Sequence, residues 1–138
     1  MQKQIDNNAA GNIIYVNFRD EKEAHQTLSK LLRSSDPTEM TIGYYWEKRA
    51  YLKAANLAHE SGKSKIVKDI CNDAIMYYHG LLSHIRRKGD DGMQSRHVSI
   101  GTVYGELAKI HGTKGNHGAA ESYRRLSEAA LDRATGKA

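Results

Sequence analysis

The sequence predicts an all-α fold of about five helices, arranged as antiparallel helical hairpins. Three observations predict it. Tyr51, Ala54, Ala55, Ala58 and Gly62 recur at the same spacing as Tyr104, Leu107, Ala108, His111 and Gly115. Each set ends in a small polar turn that leads into a second helical pattern. Ile66, Ile70, Ala74, Tyr77, Leu81 and Ile85 then fall at steps of three or four, the period of one helix face. Finally, the chain holds a single proline, and only Ile13 to Phe18 has the β-branched and aromatic density of a strand. A hairpin with one apolar stripe cannot cover that stripe alone, so the two hairpins are expected to stack.

Residues 1–19 read as a flexible N-terminal arm, polar up to Gly11 and carrying the short extended segment Ile13 to Phe18. That segment has no evident second strand to pair with. Residues 20–138 read as one helical domain. The first helix is expected after Asp20, with Glu23 answering it three residues on, and Ala24, Leu28, Leu31 and Leu32 forming its apolar face. Asp36-Pro37 marks a restart: Asp36 as N-cap, Pro37 as first helical residue and Glu39 as the reciprocal capping side chain. A second helix should run from there to about His59, flawed at Gly43, with Tyr44, Tyr51, Ala55 and Ala58 on its inner face. The third begins after Gly62 and stops where Arg86-Arg87-Lys88 meets Gly89, basic residues in the last turn and glycine just past it. Asp90-Asp91-Gly92 reads as a loop. A fourth helix from near Ser95 carries Gly101 and Gly105, which on one face allow a neighbouring helix to approach closely. Asn116 should cap a fifth helix bearing Ala119, Tyr123, Leu126 and Ala130, with the tail fraying from Thr135.

Composition bounds the function. With 138 residues, 39% hydrophobic and 27% charged, the chain suits one folded, well-solvated domain. Cys71 is the single cysteine, which excludes an internal disulfide and makes a reduced compartment the expectation. No apolar run approaches a membrane span, and Met1 to Asn12 lacks the apolar core of a signal peptide. These features point to a cytoplasmic protein with no membrane partner. A net charge of +5 permits contact with RNA, DNA or another acidic surface.

Tyr104, Leu107, Ala108, Gly115 and Ala120 stand at the spacings of a tetratricopeptide repeat, and Tyr51, Ala54, Ala55, Gly62 and Ala74 form another copy in which Val67 replaces the first alanine of the second helix. From Tyr44 to Leu131 the chain therefore resembles that family, which implies stacked hairpins with a partner-binding groove. The copies lie further apart than the roughly 34 residues of that family, and both lack its closing proline. The alanine-rich helix ending in glycine, the Ile70 to Leu82 helix and Arg96-His97 also resemble HEPN-type helical domains, which implies an RNA-associated role. The Arg-to-His spacing of that family's ribonucleases is missing after His117, so the resemblance implies no RNA cleavage here.

Other motifs are weaker. Gly62-Lys63-Ser64 looks like the end of a phosphate-binding loop, but Leu57 stands where a glycine is needed and a helix precedes it. The seven histidines lack ligand spacing, so no metal or other cofactor is expected, and most should be surface or interfacial. Cys71 reads as a small buried hydrophobe. No residue set demands catalysis. The cations have the most to say: Lys48, Arg49 and Lys53 share a helix with Tyr44, Tyr45 and Trp46, while Lys63, Lys65 and Lys68 open the next helix. The plainer reading of such charges is a solvated face. The expected function is a non-catalytic module whose groove takes a protein or peptide partner, with Tyr44, Trp46, Lys48, Tyr51, Tyr104 and Lys109 as contacts. The alternatives are a HEPN-like domain holding RNA phosphates on Arg86, Arg87, Arg124 and Arg125, and a structural homo-oligomer packed through Gly101 and Gly105.

Overall fold

The computed structural model describes residues 2–7, 12–87 and 93–136, and shows a helical bundle preceded by a short hairpin. Among these residues the order is β1 (Gln2–Asn7), β2 (Asn12–Asn17), α1 (Phe18–Leu32), α2 (Pro37–Glu47), α3 (Tyr51–Glu60), α4 (Ser64–Arg87), α5 (Met93–Lys114) and α6 (His117–Ala134). The loop read at Asp90-Asp91-Gly92 and the stop at Gly89 lie outside the described residues.

The extended segment does have a partner. β1 and β2 pair antiparallel, with Ile5 opposite Ile14 and Gln4 opposite Tyr15. β1 escapes notice because Gln2 to Asn7 holds one apolar residue, Ile5, among polar ones. β2 then runs directly into α1, which starts at Phe18, two residues before Asp20.

The predicted restart at Pro37 is present. Asp36 is extended and its Oδ1 accepts from the Thr38 N–H at 2.9 Å. Glu39 answers through Ser34: the Ser34 hydroxyl donates to Glu39 Oε1 at 2.7 Å and accepts from the Asp36 N–H at 3.1 Å. The helix that follows is two helices rather than one. Gly43 leaves it unbroken; this glycine is buried against α1, where a Cβ would lie 3.0 Å from the Leu31 Cβ. The break falls at Arg49, the one described non-glycine residue with a positive φ, 61°. The Arg49 N–H donates to Trp46 O at 2.9 Å and the Ala50 N–H to Tyr45 O at 2.8 Å, closing α2 and re-aiming α3. Across that break, Ile42, Trp46 and Tyr51 face inward and Tyr44 turns out, 56% exposed.

The two repeated turns share this geometry. Gly62 has φ 71° and the Lys63 N–H reaches Ala58 O at 2.9 Å; Gly115 has φ 96° and the Asn116 N–H reaches His111 O at 2.8 Å. Both turns satisfy the last helical carbonyls and reverse the chain, as the repeat predicted. Asn116 precedes α6 without a side-chain cap; its amide faces His111 Nδ1 at 3.4 Å instead.

α4 is the central element, packed against α1, α3 and α5, while α5 and α6 form the most extensive pair. Its buried stripe is wider than one residue per turn: Val67, Ile70, Cys71, Ala74, Ile75 and Leu82 are all covered, with Ile66, Tyr77, Leu81 and Ile85 at its margins. Burial lifts the Cys71 thiol to about 11, as suits an inert core residue. Gly101 and Gly105 do admit a close neighbour, and it is α6 of the same chain. A Cβ at Gly101 would stand 2.8 Å from Leu131 Cγ, and the Ser127 hydroxyl donates to Gly101 O at 2.7 Å. At Gly101 that face is covered by α6, whereas Gly105 is only partly buried. No helix among the described residues is long and apolar enough to cross a membrane.

Candidate functional site at the α2–α3 break

The break at Arg49 opens a cavity of about 390 Å³ between α1, α2, α3 and α4. Trp46, Tyr51 and Tyr77 supply aromatic walls, and Leu28 and Met76 close the apolar side. Glu47, Asp73, Arg49 and His25 bring ionisable groups to the same space. Trp46 is 2% exposed and its indole N–H donates to Asp73 Oδ2 at 2.7 Å, tying α2 to α4 across the pocket. The Arg49 guanidinium lies 4.5 Å from the centre of the Tyr77 ring, a cation–π distance. Tyr51 packs against Tyr77 and Tyr78, with ring centres 5.9 and 5.8 Å away. Burial, reinforced by the negative charge of Asp73, pushes the Tyr51 hydroxyl well above its ordinary pKa, while Arg49 pulls the other way. Both charges therefore lie within electrostatic reach of one phenol.

Outside the pocket the same corner carries a ridge of aromatic and cationic side chains. Tyr44 and Tyr45 are 6.1 Å apart, Lys48 Nζ lies 5.8 Å from the Tyr44 ring, and Lys53 Nζ lies 5.8 Å from the Tyr45 ring. Adjacent residues in sequence normally point apart on a helix; here the bend after Glu47 brings Lys53 of α3 back over α2.

The expected contact residues separate into three places. Tyr44 and Lys48 are on this ridge, and Trp46 and Tyr51 form the wall of the pocket beneath it. Tyr104 is core, 4% exposed, and its hydroxyl accepts from Arg86. It packs on Tyr123 between α5 and α6, so it cannot line a groove. Lys109 lies apart from this pocket, on α5, paired with Glu106 at 3.4 Å, at the rim of a second cavity of about 580 Å³ between α5 and α6. Arg124 shares that rim and is held by Glu121 and Glu128, while Arg125 Nε donates to Glu121 Oε1 at 3.2 Å. Glu121 is drawn down to about 2 by its hydrogen bonds to the two arginines. These cations already have carboxylate partners on their own helix, and Arg86 is turned toward Tyr104. The side chain of Arg87 lies outside the described residues. Arg124 and Arg125 thus share α6 with Glu121, while Arg86 on α4 faces Tyr104.

Lys63, in the Gly62-Lys63-Ser64 turn, pairs with Glu39 at 3.5 Å. Two histidines depart from the expected surface positions. His79 and His111 are buried on either side of Tyr123: His79 Nε2 is 3.1 Å from the Tyr123 hydroxyl, and the His111 ring stacks on Tyr123 at 5.2 Å. His111 Nε2 is buried with no hydrogen-bond partner among the described residues. Burial draws His79 down to about 4, helped by Arg86, and His111 to about 4, helped by Lys114 and His79. Among the described residues, no group of three His, Cys, Asp or Glu side chains can hold a metal ion.

Asp73, Tyr77 and Glu47 carry the pocket's chemistry and have no marker in the sequence. Asp73 is one carboxylate on a long amphipathic helix, and only the fold brings it under Trp46. Comparison with protein-family models, with curated proteins and with solved structures finds no match to the chain.

Proposed function

We propose that the chain is a non-catalytic interaction module that seats a protein or peptide partner on the α2–α3 corner, with the lysines selecting acidic groups. The carrying observation is the set of three cation–aromatic pairs gathered there: Lys48 on Tyr44, Lys53 on Tyr45 and Arg49 on Tyr77. Exposed tyrosines offer broad contact at small entropic cost, and the flanking cations favour acidic partners and speed encounter. Tyr44, more than half exposed, is the central contact of the ridge. Lys109 and Tyr104 have no part in this surface.

The test is fluorescence anisotropy with a labelled peptide of alternating Glu and Leu, beside a labelled single-stranded oligouridylate, across a salt series. Peptide binding that weakens with salt and falls about tenfold in a Tyr44→Ala, Lys48→Ala double variant is the expected result, the loss typical of a central aromatic contact. Equal binding by the double variant overturns the reading, as does no binding at low salt. Tighter binding of the oligouridylate, with a steep salt slope, replaces it with the phosphate-binding alternative.

A further inference from the structure

We propose that the pocket at the α2–α3 break is a receptor for an organic cation, a guanidinium or alkylammonium group, and that Arg49 is its resident occupant. The inference does not rest on the partner reading, because a small cation needs the pocket and not the ridge.

The walls select the charge. Trp46, Tyr51 and Tyr77 turn aromatic surface toward the cavity, and the faces of such rings attract cations. Asp73 stands among them as a carboxylate. One of its oxygens accepts from the Trp46 indole at 2.7 Å, and no cation among the described residues comes within ion-pair distance of it. Glu47 adds a second negative charge to the pocket lining. An unpaired carboxylate framed by aromatic rings is the arrangement that holds alkylammonium and guanidinium groups.

Arg49 already lies against one wall of this seat. Three turns close in the same way, with a hydrogen bond from the residue after the turn back to the fifth residue before it. Two of them place glycine at the left-handed position, Gly62 and Gly115; the third places Arg49 there with φ 61°. A side chain at that position is disfavoured, so its presence calls for a compensating contact. The contact available is the Tyr77 face, 4.5 Å from the guanidinium. Arg49 thus covers part of the pocket without pairing with Asp73. A guanidinium fills only a small part of about 390 Å³, which leaves room for the remainder of a ligand beside it.

Two sources can supply the cation, a free small molecule or an arginine side chain of a partner, and one experiment separates them. Trp46 is the only tryptophan, so its indole N–H gives one NMR cross-peak at the pocket wall. That peak is followed in the full chain during titration with agmatine, with the tripeptide Gly-Arg-Gly and with sodium acetate. Wild type is compared with Arg49→Gly, which suits the left-handed turn, and with Asp73→Asn, whose amide oxygen still accepts from the indole. Agmatine should shift the peak saturably, and Arg49→Gly should bind it about fivefold or more tightly because the competing occupant is gone. Asp73→Asn should lose about tenfold or more, as expected for removing an ionised hydrogen-bond partner. Stronger binding of Gly-Arg-Gly assigns the site to a partner's arginine; equal or stronger binding of agmatine assigns it to a free cation, and either result supports the receptor. The proposal fails if neither cation moves the peak at about 50 mM, a limit far weaker than ordinary recognition. It also fails if Arg49→Gly gains nothing, if Asp73→Asn binds undiminished, or if acetate binds in place of the cations.

Discussion

Arg49 and Gly62 occupy the same place in two turns of the same form, one residue past the C-cap of a helix. Glycine has no Cβ to clash there, whereas an L-residue costs roughly 1–2 kcal/mol in that region. The guanidinium on Tyr77 returns about 0.5–1 kcal/mol of cation–π attraction at such a partly exposed site. Arg49→Gly should therefore leave stability nearly unchanged, since it removes the strain and the attraction together. Arg49→Ala keeps the strain and loses the attraction, and should be less stable than Arg49→Gly by about 1 kcal/mol. Urea denaturation of the two variants checks this, and equal midpoints would show that the left-handed turn carries no steric cost. The sequence placed Arg49 beside Tyr44, Tyr45 and Trp46 but showed no helix end there, because the residue that marks such an end is usually glycine. Asp73 and Tyr77 were invisible as a site for a different reason: they meet Trp46 and Arg49 only through tertiary packing.

At the scale of the elements, the α5–α6 pair depends on two glycines with different margins. A Cβ at Gly101 would press into Leu131 at 2.8 Å and toward Ser127 O at 3.3 Å, whereas one at Gly105 would meet only Ser127 Oγ, at 3.4 Å. Gly101→Ala should then cost about 1–3 kcal/mol through overpacking. Gly105→Ala should cost little or stabilise, because alanine adds about 1 kcal/mol of helix propensity. Thermal unfolding of both variants checks the contrast, and a stabilising Gly101→Ala would mean the helices are less closely seated. The close approach was legible from the spacing of the two glycines, but its partner was not. Periodicity identifies a face and says nothing about whether α6 or another chain covers it. The α4 stripe and the paired turns at Gly62 and Gly115 were legible because each is a local pattern of several residues. β1 was not, since a hairpin of six-residue strands is specified by pairing, and Gln2 to Asn7 carries little apolar signal of its own.

For the molecule as a whole, the two buried imidazoles couple folding to pH. In the unfolded chain both titrate near 6.5, whereas in the fold His79 and His111 stay neutral down to about 4. Between those values the unfolded state binds more protons, so stability is full above about pH 6.5 and declines as pH falls toward 4. Each ring's displacement corresponds to roughly 3 kcal/mol. Stability measured by urea at pH 7 and pH 4.5 should show a clear loss at the lower value. His111→Phe should reduce that loss while retaining an aromatic ring against Tyr123. A pH-independent midpoint over this range would mean that the imidazoles are hydrated.

The position of α4 also orders events during synthesis. Thr27 of α1 donates to Asp69 of α4 at 2.7 Å, and Glu23 pairs with Lys65, contacts that each join residues 42 apart in the chain. At about 5–20 residues per second, α1 waits roughly 2 to 8 seconds on the ribosome before that face of α4 has been made. During that interval α1 has β2 and α2 beside it but lacks α4, whereas α6 follows α5 after a two-residue turn and can close at once. The α1 segment is thus open to chaperone capture or proteolytic nicking until the emergence of α4 ends its exposure.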